Sequence, residues 1–151
     1  MPMDTTSNPL FAILASDLRD LRQVARVEKE CFLEDAWPLI DVITMLVFPG
    51  IIRLKAQVGD QIAGFASAEV RSGIGWITTI GVIPAYRRRG IARALLAACE
   101  EHLSTARIRL CVRRSNRAAQ LLYQQQDYRQ VDAWPGYYRG GEDALVMEKS
   151  R

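Results

Sequence analysis

"WITTIGVIPAYRRRGIARALLA" occupies residues 76–97, and its reading decides the fold. Residues 76–83 are almost wholly apolar or β-branched, as in a central strand buried on both faces. Pro84 ends that strand, because proline brings no N–H to a ladder. From Gly90 onward "GIARALLAACEEHL" is a run of helix formers. Between them lies a strand-to-helix turn with three consecutive arginines, Arg87, Arg88 and Arg89. Such a turn aims unpaired backbone N–H groups and the positive helix end at one point. Gly90 lets the backbone approach a ligand closely, and Ala92 keeps the next position small. The arginines can add charge-assisted bonds to phosphate oxygens. The turn is therefore built as an anion cradle, most simply for a pyrophosphate. It lacks both GxGxxG and GxxxxGK[ST], so neither a dinucleotide fingerprint nor a triphosphate P-loop is present. An ordinary helix start with a solvated basic face is the competing reading.

Outward from this unit, "LFAIL" (10–14) reads as a first strand. "SDLRDLRQVARVEKECF" (16–32) reads as a helix capped by Ser16 or Asp17, with Leu18, Leu21, Val24, Ala25, Val27 and Cys31 at helical spacing. "LIDVITMLVF" (39–48) reads as a second helix. Residues 51–70 alternate, turn at Gly59-Asp60 and alternate again, which signals a hairpin. In "RIRLCVR" (107–113), Ile108, Leu110 and Val112 point one way and Arg109, Cys111 and Arg113 the other. "SNRAAQLLYQQQ" (115–126) reads as a Ser-capped helix. "YRQVDAW" (128–134) and "ALVMEK" (144–149) are the last strands, joined by "PGYYRGGED". The predicted order is β-α-α-β-β-β-α-β-α-β-β, an α/β (α+β) domain around a central mixed sheet.

The 151 residues are 49% hydrophobic and 25% charged, which fits one domain over 9–151 behind a loose polar segment, 1–8. A net charge of +3 does not call for a nucleic-acid partner, and the arginines are too local for one. No apolar run approaches the ~20 residues that span a bilayer, so no membrane partner is expected. The three cysteines, Cys31, Cys99 and Cys111, lack metal or CxxC spacing and read as free thiols of a reducing compartment. His102 is the only histidine, which argues against a His-rich metal site and a Ser-His-Asp triad; no metal is expected. "MPMDTTSNPL" has neither the basic start nor the apolar stretch of a signal peptide, so the expected location is cytoplasmic.

Arg87-x-x-Gly90-x-Ala92, following an apolar strand and "P-x-Y", resembles the R/Q-x-x-G-x-G/A motif of the GNAT superfamily of N-acetyltransferases. "LCVRRSNRAAQLLY" (110–123) resembles the L-x-V-R-x-S-N-x-x-A-x-x-L-Y segment of that family. "GYYRGGEDALVM" (136–147) is similar to the end of protein N-terminal acetyltransferases, including the RimI-type enzymes. The resemblance implies the GNAT fold, a mixed, mostly antiparallel sheet of about seven strands flanked by about four helices. It implies acetyl-CoA as co-substrate and an amine acceptor such as a protein N-terminus, with direct transfer in a ternary complex. By the same resemblance Ile80, Gly81 and Val82 offer backbone groups to the pantetheine arm and the oxyanion. Arg87, Arg88, Arg89, Gly90, Ile91 and Ala92 hold the pyrophosphate, with Arg93 at the margin. Asn116 contacts the CoA side of the cleft, and Tyr123 gives a proton to the departing thiolate. Each has a plainer alternative: Ile80 and Val82 as core, Asn116 as a first-turn residue, Tyr123 as packing.

The pattern breaks at Cys111, where RimI-type enzymes carry a glutamate that serves as general base. A thiol is a nucleophile rather than an ideal base. Three explanations stand open. Cys111 packs and another carboxylate acts, with Glu69, Glu34 and Asp35 as candidates. Alternatively the amine arrives already partly neutral. In the third, Cys111 carries the acetyl group covalently. Asp127-Tyr128 stands where many relatives have Gly-Phe, which asks for Asp in a left-handed conformation. The acceptor is expected between the "CFLEDAWP" loop and the "WPGYYRGGED" hairpin. There Glu34 and Asp35 supply charge, Trp37 and Trp134 wall the pocket, and Tyr137 and Tyr138 bond a peptide backbone. Glu142 and Asp143 order the hairpin or attract a cationic amine. Two rivals remain: a small-molecule amine acetyltransferase, and a catalytically weak acyl-CoA-binding or sensing module. Either a monomer or a homodimer is compatible with the sequence.

Overall fold

The computed structural model describes residues 10–151, with the side chain of Glu34 not described; the segment expected to be loose, 1–8, lies outside the described residues. Seven strands form one sheet: β1 (Ala12–Ala15), β2 (Ile52–Val58), β3 (Gln61–Arg71), β4 (Ile74–Val82), β5 (Arg107–Arg113), β6 (Arg129–Trp134) and β7 (Ala144–Ser150). The helices are α1 (Leu21–Phe32), α2 (Leu39–Val47), α3 (Ile91–His102) and α4 (Arg117–Gln125). The sheet order is β1-β2-β3-β4-β5-β7-β6. Only β4 and β5 run parallel, joined through α3, and every other pair is antiparallel. The element order is the one predicted. Among the described residues no helix is long and apolar enough to cross a membrane.

Two apolar clusters cover the two faces of the sheet. Ile91, Leu95 and Leu96 of α3 pack with Leu54, Ile108, Leu110 and Met147. Val24 and Val27 of α1 and Val42, Met45 and Leu46 of α2 pack on Ile62 and Phe65. The strand buried on both faces is β3, from Ile62 to Ala68. That property was expected of residues 76–83. In β4 burial instead alternates, because Thr78 and Ile80 turn toward an open cleft.

Two local details also differ from expectation, and a third agrees with it. The first helix is broken: Asp17 caps a 3-10 turn at Leu18–Asp20, and α1 begins only after it. Helix α4 is capped by Asn116, whose Oδ1 accepts the Ala119 N–H at 3.2 Å. Ser115 was the expected cap, but its N–H donates to Glu142 Oε1 at 2.7 Å, which commits that residue to the β6–β7 hairpin. Asp127 does adopt the left-handed conformation its turn demands, with φ 70°.

Candidate active site

The sheet opens between its two parallel strands. β4 and β5 pair only at Gly75↔Ile108, Trp76↔Arg109 and Ile77↔Leu110. Ser67 of β3 faces Thr79, yet the next residue, Ala68, faces Ile77, so Thr78 is the extra residue of a β-bulge. The Ser67 and Thr78 hydroxyls hydrogen-bond at 2.7 Å and fix it. A bulge bends its strand, and the strands part directly after this one. From Thr78 to Val82 the β5-side edge of β4 therefore has no strand partner among the described residues, and that edge borders a cleft of about 730 Å3.

Cleft walls come from every neighbouring element. Thr78, Thr79 and Ile80 supply one side, and Leu110, Cys111, Val112 and Arg113 supply the other. Asn116 and Tyr123 reach in from α4, and Tyr137 and Tyr138 cover the far end. Tyr123 is only 6% exposed, and burial pushes its phenol well above the ordinary tyrosine range. It therefore keeps its proton at neutral pH and has one to give. Burial also pushes the Cys111 thiol up to about 11, so it is protonated at neutral pH. Trp37 lines the cleft as well, whereas Trp134 does not. Trp134 stacks on Trp76 at 5.9 Å and lies 5.5 Å from Tyr137, which holds it behind the hairpin rather than in the cleft wall.

The acidic candidates divide sharply. Asp35 accepts from Arg113 Nε at 2.7 Å, and Glu142 accepts from Arg113 Nη1 at 2.6 Å. Arg113 thus ties the turn after α1 to the β6–β7 hairpin, and its guanidinium lies over the Tyr138 ring at 4.5 Å. Glu69 lies outside the cleft: it lines a smaller neighbouring pocket of about 270 Å3 and accepts from Arg71 Nε at 2.6 Å. Its place as the acting carboxylate is corrected accordingly, since an arginine already holds it. Glu34 lies in the 3-10 turn Leu33–Asp35.

Sequence reasoning missed Glu28. This residue of α1 lines the cleft, is only 3% exposed, and accepts the Thr79 hydroxyl proton at 3.0 Å on Oε1. Oε2 faces the Trp37 N–H at 3.5 Å, a long contact. Burial raises its carboxyl above the ordinary glutamate range, with the Thr79 and Trp37 bonds opposing. The signal was available: Glu28 falls on the inward stripe of buried Val24 and Val27 and half-buried Cys31, where a charge is out of place. Gly81 allows this end of α1 to approach the sheet. A Cβ there would stand 3.1 Å from the Cys31 Cβ and Sγ.

Beyond the cleft, β4 runs directly into the arginine loop. Gly90 has φ 79° and stands at the N-cap of α3 with no side-chain cap. The first-turn N–H groups of Ile91, Ala92 and Arg93 are thus left for a ligand. Arg88 also takes a left-handed φ of 64°. Arg88, Arg89 and Arg93 are exposed, with Arg89 over the Tyr86 ring at 5.3 Å. Arg87 has a structural task. Its Nε donates to the Val82 carbonyl at 2.9 Å, so it braces the end of β4. Ile91, expected at the pyrophosphate, buries its side chain in the core and offers only backbone. The same holds for Val82. Among the described residues no group of three or more His, Cys, Asp or Glu side chains could hold a metal ion.

Comparison with known proteins places this architecture. The sequence profile of the acetyltransferase (GNAT) family matches residues 16–128. The chain is 32% identical over 139 residues to the N-alpha-acetyltransferase RimI of Mycobacterium tuberculosis, covering 86% of each chain. Its fold superposes on the ribosomal-protein-S18-alanine N-acetyltransferase of Escherichia coli with a TM-score of 0.82, at 25% identity and 93% coverage of each chain. Arabidopsis thaliana NAA60 in complex with acetyl-CoA shares the fold, with a TM-score of 0.83 over 93% of this chain and 98% of that one, at 20% identity.

Proposed function

The chain belongs to the acetyltransferase (GNAT) family, and from that premise we propose that it moves an acetyl group from acetyl-CoA to the α-amine of a protein or peptide N-terminus. The transfer is direct, with both substrates bound together. One observation carries the acceptor assignment: the cleft is bounded by a turn at Asp35 and a Tyr137–Tyr138 hairpin that Arg113 holds in register. Two fixed walls suit an extended chain leading out of the cleft, with tyrosine hydroxyls set to bond its backbone. A small free amine needs no such slot. The RimI relative, an N-alpha-acetyltransferase by name, supports the same acceptor.

Acetyl-CoA supplies the acetyl group as a thioester, a carbonyl activated by a good leaving group. The unpaired edge of β4 is suited to the pantetheine arm, as another strand would be. The uncapped start of α3, with Arg88 and Arg89, is suited to the pyrophosphate. The backbone N–H of Ile80 is suited to stabilise the oxyanion, because alternation along β4 turns it to the unpaired side while that of Gly81 faces Phe65 of β3. Tyr123, held neutral by burial, protonates the leaving sulfur. Cys111 is an unfavourable nucleophile, because its thiolate is scarce at neutral pH. That supports direct transfer over an acyl-cysteine.

A panel tests this assignment. The protein is incubated with acetyl-CoA and peptides with free N-termini, the same peptides Nα-blocked, polyamines and free amino acids, while thiol release is followed. Release with the free-N-terminus peptides alone is expected. Release with small amines alone would overturn the peptide acceptor, and acetyl-CoA binding without release for any amine would leave only a binding module.

A further inference from the structure

Among the described residues the cleft holds three carboxylates, and arginine has claimed two of them: Asp35 and Glu142 both pair with Arg113. Glu28 is the third. It is nearly fully buried, has no cation beside it among the described residues, and has one oxygen with only a long contact to the Trp37 N–H. A buried carboxylate without a counter-charge is costly and persists only when something compensates for it. Here the missing partner is a cation that enters with a ligand. The acceptor brings one, since an α-amine is largely protonated at neutral pH.

We propose that Glu28 receives the acceptor ammonium and takes its proton, the task for which Cys111 is unsuited; this rests on the amine-acetylating function proposed above. The groups facing Glu28 agree with that role. Thr79 of β4 donates to Oε1 and fixes the carboxyl rotamer. Cys31, one turn along α1, stays a neutral thiol because burial raises it. Arg87 interacts with Cys31 but spends its Nε on the Val82 carbonyl. Trp37 contributes only its backbone N–H from the loop. The protons balance. The ammonium gives one to Glu28, and its nitrogen then forms the C–N bond at the thioester carbonyl carbon. As the C–S bond breaks, the thiolate takes the Tyr123 proton. The second proton lost by the nitrogen restores Tyr123, and the proton on Glu28 leaves to solvent.

The test uses the full chain and two variants, Glu28→Gln and Thr79→Val, with a free-N-terminus peptide that the wild type acetylates. Glu28→Gln keeps the shape and a hydrogen bond to Thr79 but accepts no proton. Its kcat is expected to fall roughly 100-fold with acetyl-CoA affinity unchanged, in line with general-base contributions. In the ligand-free protein, infrared titration should find a carboxyl that titrates above the ordinary range and is absent from Glu28→Gln. The acid limb of wild-type kcat/KM, which reports the free enzyme, should fall at the same pH. Thr79→Val removes a bond that favours the carboxylate, so both should move together to higher pH. A Glu28→Gln kcat within roughly tenfold of wild type overturns the inference, as does an acid limb that fails to follow the titrating carboxyl. If the wild type acetylates no peptide, the acceptor assignment fails first and this inference with it. An active wild type with an equally active Glu28→Gln sinks the inference alone.

Discussion

The Nε of Arg113 donates to Oδ2 of Asp35 across 2.7 Å, which ties β5 to the turn that follows α1. The same guanidinium donates to Glu142 in the hairpin before β7. One side chain therefore sets the spacing of the two walls between which the proposed acceptor enters. Arg113→Met is expected to raise the peptide KM roughly tenfold while acetyl-CoA affinity stays unchanged, the signature of lost acceptor binding. An unchanged KM would mean that the walls hold without the tie.

The pH behaviour of that tie follows from Glu142. Hydrogen bonds from Ser115, and then from Arg113, lower its carboxyl from 4.5 to about 2. A depressed folded-state value gives a contribution that is complete above 4.5 and is lost as pH falls toward about 2. Glu142 is thus charged throughout the neutral range, so peptide KM measured from pH 6 to 8 should show no step from it. A protonation step in KM within that range, absent from Glu142→Gln, would contradict this.

The arginine loop divides its labour. Arg88→Glu with Arg89→Glu should weaken acetyl-CoA binding at least tenfold, on the order of 1.4 kcal/mol, with the melting temperature unchanged. Arg87→Leu should instead lower the melting temperature, because the Val82 carbonyl loses its donor. Calorimetric titration and thermal melts separate the two. Equal affinity in the double variant would remove the pyrophosphate from this loop.

Cys111 and Tyr123 make opposite predictions. Cys111→Ala should keep kcat within about threefold, and no acetylated enzyme should accumulate, because a thiol raised to about 11 is a poor nucleophile at neutral pH. Tyr123→Phe keeps the ring and its edge contact with Tyr128 at 6.0 Å but has no proton to give. Its kcat should fall roughly 100-fold. Retained turnover in Tyr123→Phe would reduce that residue to packing.

What the sequence made legible is local. Pro84, the arginines and Gly90 act within one turn, so the strand–loop–helix unit could be read from neighbours in the chain. Alternation in 107–113 likewise put Cys111 and Arg113 on one face, and both line the cleft. What stayed hidden depends on partners far along the chain. The splay after Ile77 arises from a bulge at Thr78 opposite β3, and no pattern within 76–83 announces it. Trp134 was expected in the cleft wall, but Trp76, on another strand, captures it. Glu28 meets Thr79 across 51 positions of sequence. Only its misfit on an apolar helix stripe hinted at the meeting.

The most direct measurement locates the acetyl group. A peptide with a free N-terminus and an internal lysine is incubated with the protein and acetyl-CoA, then sequenced by fragmentation mass spectrometry. The account predicts a single acetyl group on the N-terminal nitrogen and an unmodified lysine. Acetyl on the lysine side chain, or an unmodified peptide beside an enzyme that binds acetyl-CoA, would contradict it.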